Sequence, residues 1–211
     1  MRSRLATLVT GSLAAVFLAG AQGVAAQTVA DISDSPPRQP TKWVVDIVHS
    51  QVDFGVRHLV GRVHGTFSKW YALVSTEAGG WKLGIVNVTV ETASLNTGNA
   101  YRDADLRSDR FFAVNRYPKM TFQGSGFAAT DSTVDLNGLL TIRGRSKPVV
   151  LTGRFRGVAK DADGHERIAF QASGMVDRRD FGISWNENIA GTDLIGNDVE
   201  ITIGIEAVRV D

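Results

Sequence analysis

From Trp43 onward the chain repeats one pattern: short runs in which every second residue is Val, Ile, Leu or Phe, separated by clusters of Gly, Asn and Asp. Period-two alternation puts one set of side chains on one face of a pleated strand and the rest on the other, so each run reads as a strand with one buried and one wet face. In the clearest run, Asp46 to His58, the even positions hold Val48, Val52, Phe54 and Val56, and the odd ones hold His49, Gln51, Asp53 and Arg57. The pattern returns at Val86/Val88/Val90, Val134/Leu136/Leu140/Ile142, Ile168/Phe170/Ala172/Val176 and Val199/Ile201/Ile203/Ile205. Val149, Leu151 and Phe155 follow the turn Arg143-Gly144-Arg145-Ser146, which predicts a hairpin there. Asn99 to Phe112 lacks the alternation and predicts a short helix or ordered loop. About eight short antiparallel strands with so little helix predict an all-β chain closed into a barrel or packed as a sandwich. Closure removes exposed edges, and an eight-stranded barrel has room inside for one slender ligand.

The first 26 residues carry Arg2 and Arg4, an apolar run around Leu13–Ala19, and small residues ending Val24-Ala25-Ala26. This predicts a secretory signal peptide cleaved after Ala26, and the apolar run is too short to span a bilayer. Residues 27–42, with three prolines and few large apolar side chains, predict a flexible leader, and the folded domain is expected over 43–211. Cleavage removes two of 23 basic residues and no acid, leaving 21 against 22 acidic residues, a net charge of about −1. A near-neutral surface gives no general reason to bind nucleic acid or an anionic membrane. Cysteine is absent, so the fold depends on burial, and thiol chemistry and thiolate metal sites are excluded.

The four histidines are His49, His58, His64 and His165. His49 and His58 are nine residues apart, hence on opposite faces of one strand. A turn centred between Val60 and Gly61 pairs Val63, Gly65 and Phe67 with His58, Val56 and Phe54 and turns His64 outward, so the imidazoles converge on no metal. No Gly-x-Ser-x-Gly elbow occurs, and His49-Ser50 face apart, so no nucleophilic triad is predicted. The carboxylate pairs Asp103/Asp105 and Asp177/Asp180 lie among arginines, where ion pairing is the ordinary role. No cofactor and no catalytic residue is expected.

Seven blocks carry a resemblance. They are WVVDIVHSQVDFGVRHL at Trp43–Leu59, Gly65-Thr66-Phe67, Ala93-Ser94-Leu95-Asn96-Thr97, Asp105–Ser108 with Phe111-Phe112, Tyr117–Phe122, Gly138–Gly144 and Asp177–Ile183. In this order they resemble the YceI-like family of exported proteins, over about Trp43 to Val208. The resemblance implies a lipocalin-like eight-stranded antiparallel barrel with one short helix or loop insertion. It also implies a long interior that accommodates a polyisoprenoid, a quinone or a comparable acyl amphiphile. A periplasmic carrier that does not span the membrane is the function expected; a homodimer is left open.

The inward sets then nominate the lining: Phe54, Val56, Phe67 and Val88 from the first strands, and Met120, Phe122, Leu140 and Phe170 from the later ones, with Phe181 and Trp185 as additions. His58 shares parity with Phe54 and Val56. It either meets a polar head group or is a core histidine satisfied by a backbone carbonyl or by Ser50. The Arg102–Phe112 segment is placed over the barrel mouth, with Phe111 and Phe112 either lining the opening or capping the end as ordinary core. Arg102 is the portal arginine that would suit a phosphate-bearing head group. Two other readings stay open: a filled barrel acting through its outer surface in envelope stress, and a lipid-modifying enzyme using His58 as base.

Overall fold

Eight antiparallel strands follow one another around a barrel and close on themselves, each paired with its neighbours in sequence. The computed structural model describes residues 39–77, 84–130 (125–130 as backbone) and 133–210; the expected signal peptide, its cleavage point and most of the leader lie outside them. β1 comprises Thr41–Val45 and, past a 3-10 turn at Ile47–His49, Gln51–His58. β2 comprises Gly61–Phe67 and Trp70–Thr76; β3 comprises Gly84–Glu91 and Leu95–Asn96. The helix α1, Ala100–Arg107, follows, and then β4 (Lys119–Thr130), β5 (Thr133–Ile142), β6 (Arg145–Lys160), β7 (Glu166–Asp177) and β8 (Ile195–Arg209). One end holds the β1–β2 turn and α1 and is the mouth; the other holds the start of β1 and the end of β8.

The strand layout departs from the sequence reading in three places. Asp46 to His58 is not one strand: the Asp46 carboxylate accepts from the Val48 N–H at 3.1 Å and caps the turn that interrupts it, leaving Val48 86 % exposed rather than inward. The β1–β2 hairpin turns at Leu59-Val60, pairing His58 with Gly61, Val56 with Val63 and Phe54 with Gly65. That register lies two residues from the one expected and preserves the faces, so His64, opposite Gly55, still points outward. Thr41 and Lys42 belong to β1, not to a leader, and Thr41 is buried opposite Thr76.

The half of the barrel near the β1 start is solid. Trp43, Val45, Leu136, Ile168, Phe170 and Ala207 are buried there, and the Trp43 indole N–H donates to the Thr76 hydroxyl at 3.0 Å. β8 runs past both halves of β1, pairing Val45 with Ala207 and, beyond the turn, Gln51 with Gly204. Between them Glu206 has no facing strand residue. Its carbonyl accepts from the Asp46 N–H at 2.8 Å and the Ser50 hydroxyl at 3.2 Å, and its N–H donates to the Ser50 oxygen at 2.9 Å. Outside this junction Arg167 binds Asp46 (2.9 Å), Glu206 (2.7 Å) and Asp161 (3.0 Å).

The hydrogen bonds from His49 and Arg167 hold the Asp46 carboxyl well below the usual carboxylate range, and Arg167 also lowers Asp161 against the opposing effect of desolvation. Asp46 in turn raises the His49 imidazole. The depressed acids contribute stability above their unfolded values near 4 that is lost as pH falls through the folded values; the raised His49 contributes below about 6.5 and is lost as pH climbs through its folded value. The urea midpoint is therefore expected to be highest near pH 5 and to fall between pH 4 and 2, with a shallower fall in Arg167→Met. Ser50→Ala, which leaves the Glu206 N–H without its acceptor, is expected to cost about 1–2 kcal/mol in urea unfolding at pH 7.

Candidate functional site

The mouth half of the barrel is hollow. A cavity of about 550 Å³ runs from the rim at Arg57, His58 and Ile195 down to Val74, Leu151 and Ile205, above the solid half. Its wall is built largely of valines and isoleucines at inward positions, among them Val52, Val56, Val63, Val86, Val88 and Val90. Such side chains are too short to meet across an eight-stranded barrel, which is why space remains. Phe54 and Phe67 meet at 5.5 Å with their rings tilted by 45° on one side, and Phe112 meets Phe67 edge-on at 5.9 Å beneath α1.

α1 crosses the mouth and is tied down from both ends. The Asn99 side chain caps it by accepting from the Arg102 N–H at 3.1 Å. Buried Asp103 accepts from the Thr97 N–H (3.0 Å) and hydroxyl (2.6 Å), while Arg102 donates through Nε to the same hydroxyl at 2.7 Å and through Nη2 to the Thr97 carbonyl at 2.9 Å. Arg107 reaches back to the carbonyls of Ala93 and Leu95 at 2.9 and 2.6 Å. Arg110 pairs with Asp105 at 2.5 Å and lies 4.5 Å over the Trp185 ring, which meets Phe111 at 5.4 Å. Tyr101, Arg102, Asp105 and Leu106 of the helix all face the cavity.

The YceI-like domain model matches residues 43–207. The chain belongs to the YceI-like family. The UPF0312 protein of Pseudomonas savastanoi pv. phaseolicola is 33% identical over 163 residues, 76% of this chain and 82% of that one. Protein YceI of Salmonella arizonae is 32% identical over 164 residues with the same coverage. A solved YceI protein from Campylobacter jejuni, 33% identical, superposes with a TM-score of 0.65 over 74% of this chain and 90% of its own. A polyisoprenoid-binding domain from Saccharophagus degradans, 15% identical, shares the fold at a TM-score of 0.61 over 80% of this chain and 98% of its own.

In this YceI-like barrel the nominated residues Phe54, Val56, Phe67, Val88, Met120, Phe122 and Leu140 all stand in the cavity wall, as do Phe181 and Trp185. Phe111 is buried and Phe112 partly so, and both line the cavity while packing with the core. Phe170 does not belong to the wall: it lies deeper, paired in register with Phe155 and Ile205, in the solid half. Its parity was inward, but parity carries no information on depth. His58 has the inward parity and lines the cavity at its exposed rim. Ser50 is engaged with Glu206, so it is no partner for His58.

Two expectations about charge need correction. Asp103 is held by Thr97 rather than by an arginine, and Asp180 faces Lys147 at 3.7 Å; Asp105–Arg110 and Asp177–Arg179 are arginine pairs as expected. Two clusters bring possible ligand atoms together, Asp46/His49/Glu206 and Asp161/Asp163/His165. In the first, Arg167 binds both carboxylates; in the second, Asp161 accepts from the N–H groups of Asp163 and His165 and forms the β6–β7 turn.

Sequence reasoning missed Arg178. This arginine is 5 % exposed, faces the cavity and has no carboxylate bound to it among the described residues. It donates to the carbonyls of Gly196 (2.9 Å), Ile183 (2.9 Å) and Trp185 (2.7 Å) and to the Asn197 side chain (3.1 Å). The guanidinium thus ties the end of β7, the Ile183–Trp185 loop and the start of β8 into one rim, and burial pushes its pKa down. Arg178→Met, which keeps the stem but leaves three carbonyls without their donor, is expected to cost about 3 kcal/mol in urea unfolding. Amide exchange should rise at 183–197 and remain unchanged in the solid half.

Proposed function

We propose that this chain is an exported, periplasmic carrier or reservoir for one long apolar chain, a polyisoprenoid, a quinone tail or a comparable acyl amphiphile. The observation that carries the reading is the cavity of about 550 Å³ in the barrel, lined mostly by apolar side chains, with Arg57, His58 and Arg102 among its few polar ones. Each methylene taken from water into such a wall gains roughly 0.8 kcal/mol, which offsets the freedom lost by a flexible tail. The head group would rest near His58, Arg57 and Arg102 at the mouth. Family membership and the shared fold of a polyisoprenoid-binding domain support the reading. No covalent step is needed: the Phe54, Val56, Phe67, Val88 and Phe122 side chains offer surface, and Phe112 under α1 covers the entrance.

The test is native mass spectrometry of the protein purified from its own periplasm, followed by solvent extraction. A stoichiometric prenyl or acyl species is expected in the extract. A clean apo mass, together with no uptake when quinones and polyprenyl lipids are added back, would overturn the carrier and favour a protein acting through its outer surface. Turnover of the added lipid that is lost in His58→Ala would instead establish an enzyme.

A further inference from the structure

On the β4–β5 side two facing inward positions of the barrel wall carry no side chain. Gly124 and Gly138 face each other across the two strands, leaving a patch of bare backbone on the inner wall. The neighbouring inward side chain, Phe122, lies over that patch. A Cβ at Gly138 would come within 2.3 Å of the Phe122 Cζ, and one at Gly124 within 2.7 Å of its Cε1 and 2.9 Å of a Leu136 methyl. Phe122 lines the cavity, whereas Leu136, fully buried, belongs to the solid half below. The ring therefore leans away from the mouth and occupies the last space above Leu136.

We propose that Phe122, seated on Gly124 and Gly138, sets the longest tail this barrel accepts. The inference rests on the carrier reading and deepens it: the two glycines determine specificity because their missing Cβ atoms let the ring lie flat instead of standing into the lumen. Along β8 the wall from Val199 to Ile205 runs about 20 Å at ~3.3 Å per residue, and a fully inserted tail meets the ring at the bottom of that run. The other ring packed this way, Phe54 over Gly65, lies close to the mouth, where it bounds width rather than length.

Delipidated mature protein is titrated with a graded series of linear prenols from short to long, and the length at which affinity stops rising is read for each variant. Phe122→Leu and Phe122→Ala open the space over the glycines and are expected to move that length upward. Gly124→Ala meets only side-chain atoms, so the ring yields by swinging into the lumen; the limit moves downward, and the longest prenol bound by the parent loses about tenfold in affinity, the worth of roughly two buried methylenes. Adding Phe122→Leu to Gly124→Ala should restore the long prenols. Thermal unfolding of each variant confirms the fold, and if Gly124→Ala does not fold, the Phe122 variants decide the matter alone. A limit that stays where it was in both Phe122 variants overturns the ruler while leaving the carrier intact. A parent protein that binds no prenol of any length overturns both.

Discussion

The interaction on which the rest depends is the closure of the sheet between β1 and β8. β8 is long enough to face both halves of β1, but the 3-10 turn at Ile47–His49 takes β1 out of the ladder just where Glu206 needs a partner. The Ser50 hydroxyl answers as both acceptor and donor, and the Asp46 N–H completes the carbonyl's bonding. The ladder therefore closes across a break in one strand, so that the first and last strands pair with each other instead of each presenting an open edge. Arg167 braces the same place from outside by neutralising the two acids that flank it. With the seam closed, every inward side chain shares one enclosed volume, and whether that volume is core or cavity becomes a question of side-chain size.

That question is answered differently in the two halves. Toward the β1 start the inward positions carry Trp43, Leu136, Ile168 and Phe170, large side chains that are buried without lining the cavity. Toward the mouth they carry mainly Val and Ile, which satisfy the β-propensity of the strands without crossing the barrel. Two of the aromatic residues of that half lie flat against the wall because glycines leave room for their rings. Phe54 rests on Gly65 and Phe122 on Gly124 and Gly138, each ring covering bare backbone in the manner by which aromatic side chains compensate strand glycines. The hollow is the product of short branched walls and flattened rings together.

The all-β class, the run of strands and most of the inward set were legible because alternation reports directly which face a residue takes. Val88 and Leu140 were turned inward on that signal, as the structure has them, and the helical segment over the mouth stood out by lacking it. Height along the barrel is a different quantity. Phe170 and Phe122 have the same parity and the same chemistry, yet one lies outside the cavity wall and the other bounds the cavity, because the difference lies in strand stagger and in partners on other strands, Phe155 and Ile205 for the one and Leu140 for the other. The break at Asp46 escaped notice for a local reason: Val48 keeps the apolar alternation while the Asp46 side chain, by capping, bends the backbone out of it. Arg178 was missed because a sequence shows charge but not the loop carbonyls that fold around it.

Leaving the mouth half hollow has an energetic consequence. At the ~24 cal/mol per Å³ found when cavities are made in protein interiors, a volume of about 550 Å³ forgoes packing on the order of 10 kcal/mol, as much as the whole net stability of an ordinary domain. The solid half, the closed ladder and the hydrogen-bonded rim must together supply what the hollow does not. At the mouth, directional bonds to backbone carbonyls, from Arg107 to Ala93 and Leu95 and from Arg178 to three loop carbonyls, add to the ring contacts of Phe67 with Phe112 and of Phe111 with Trp185. Hydrogen bonds between rim segments hold them at fixed separation and leave the lumen free for an apolar chain to complete the core.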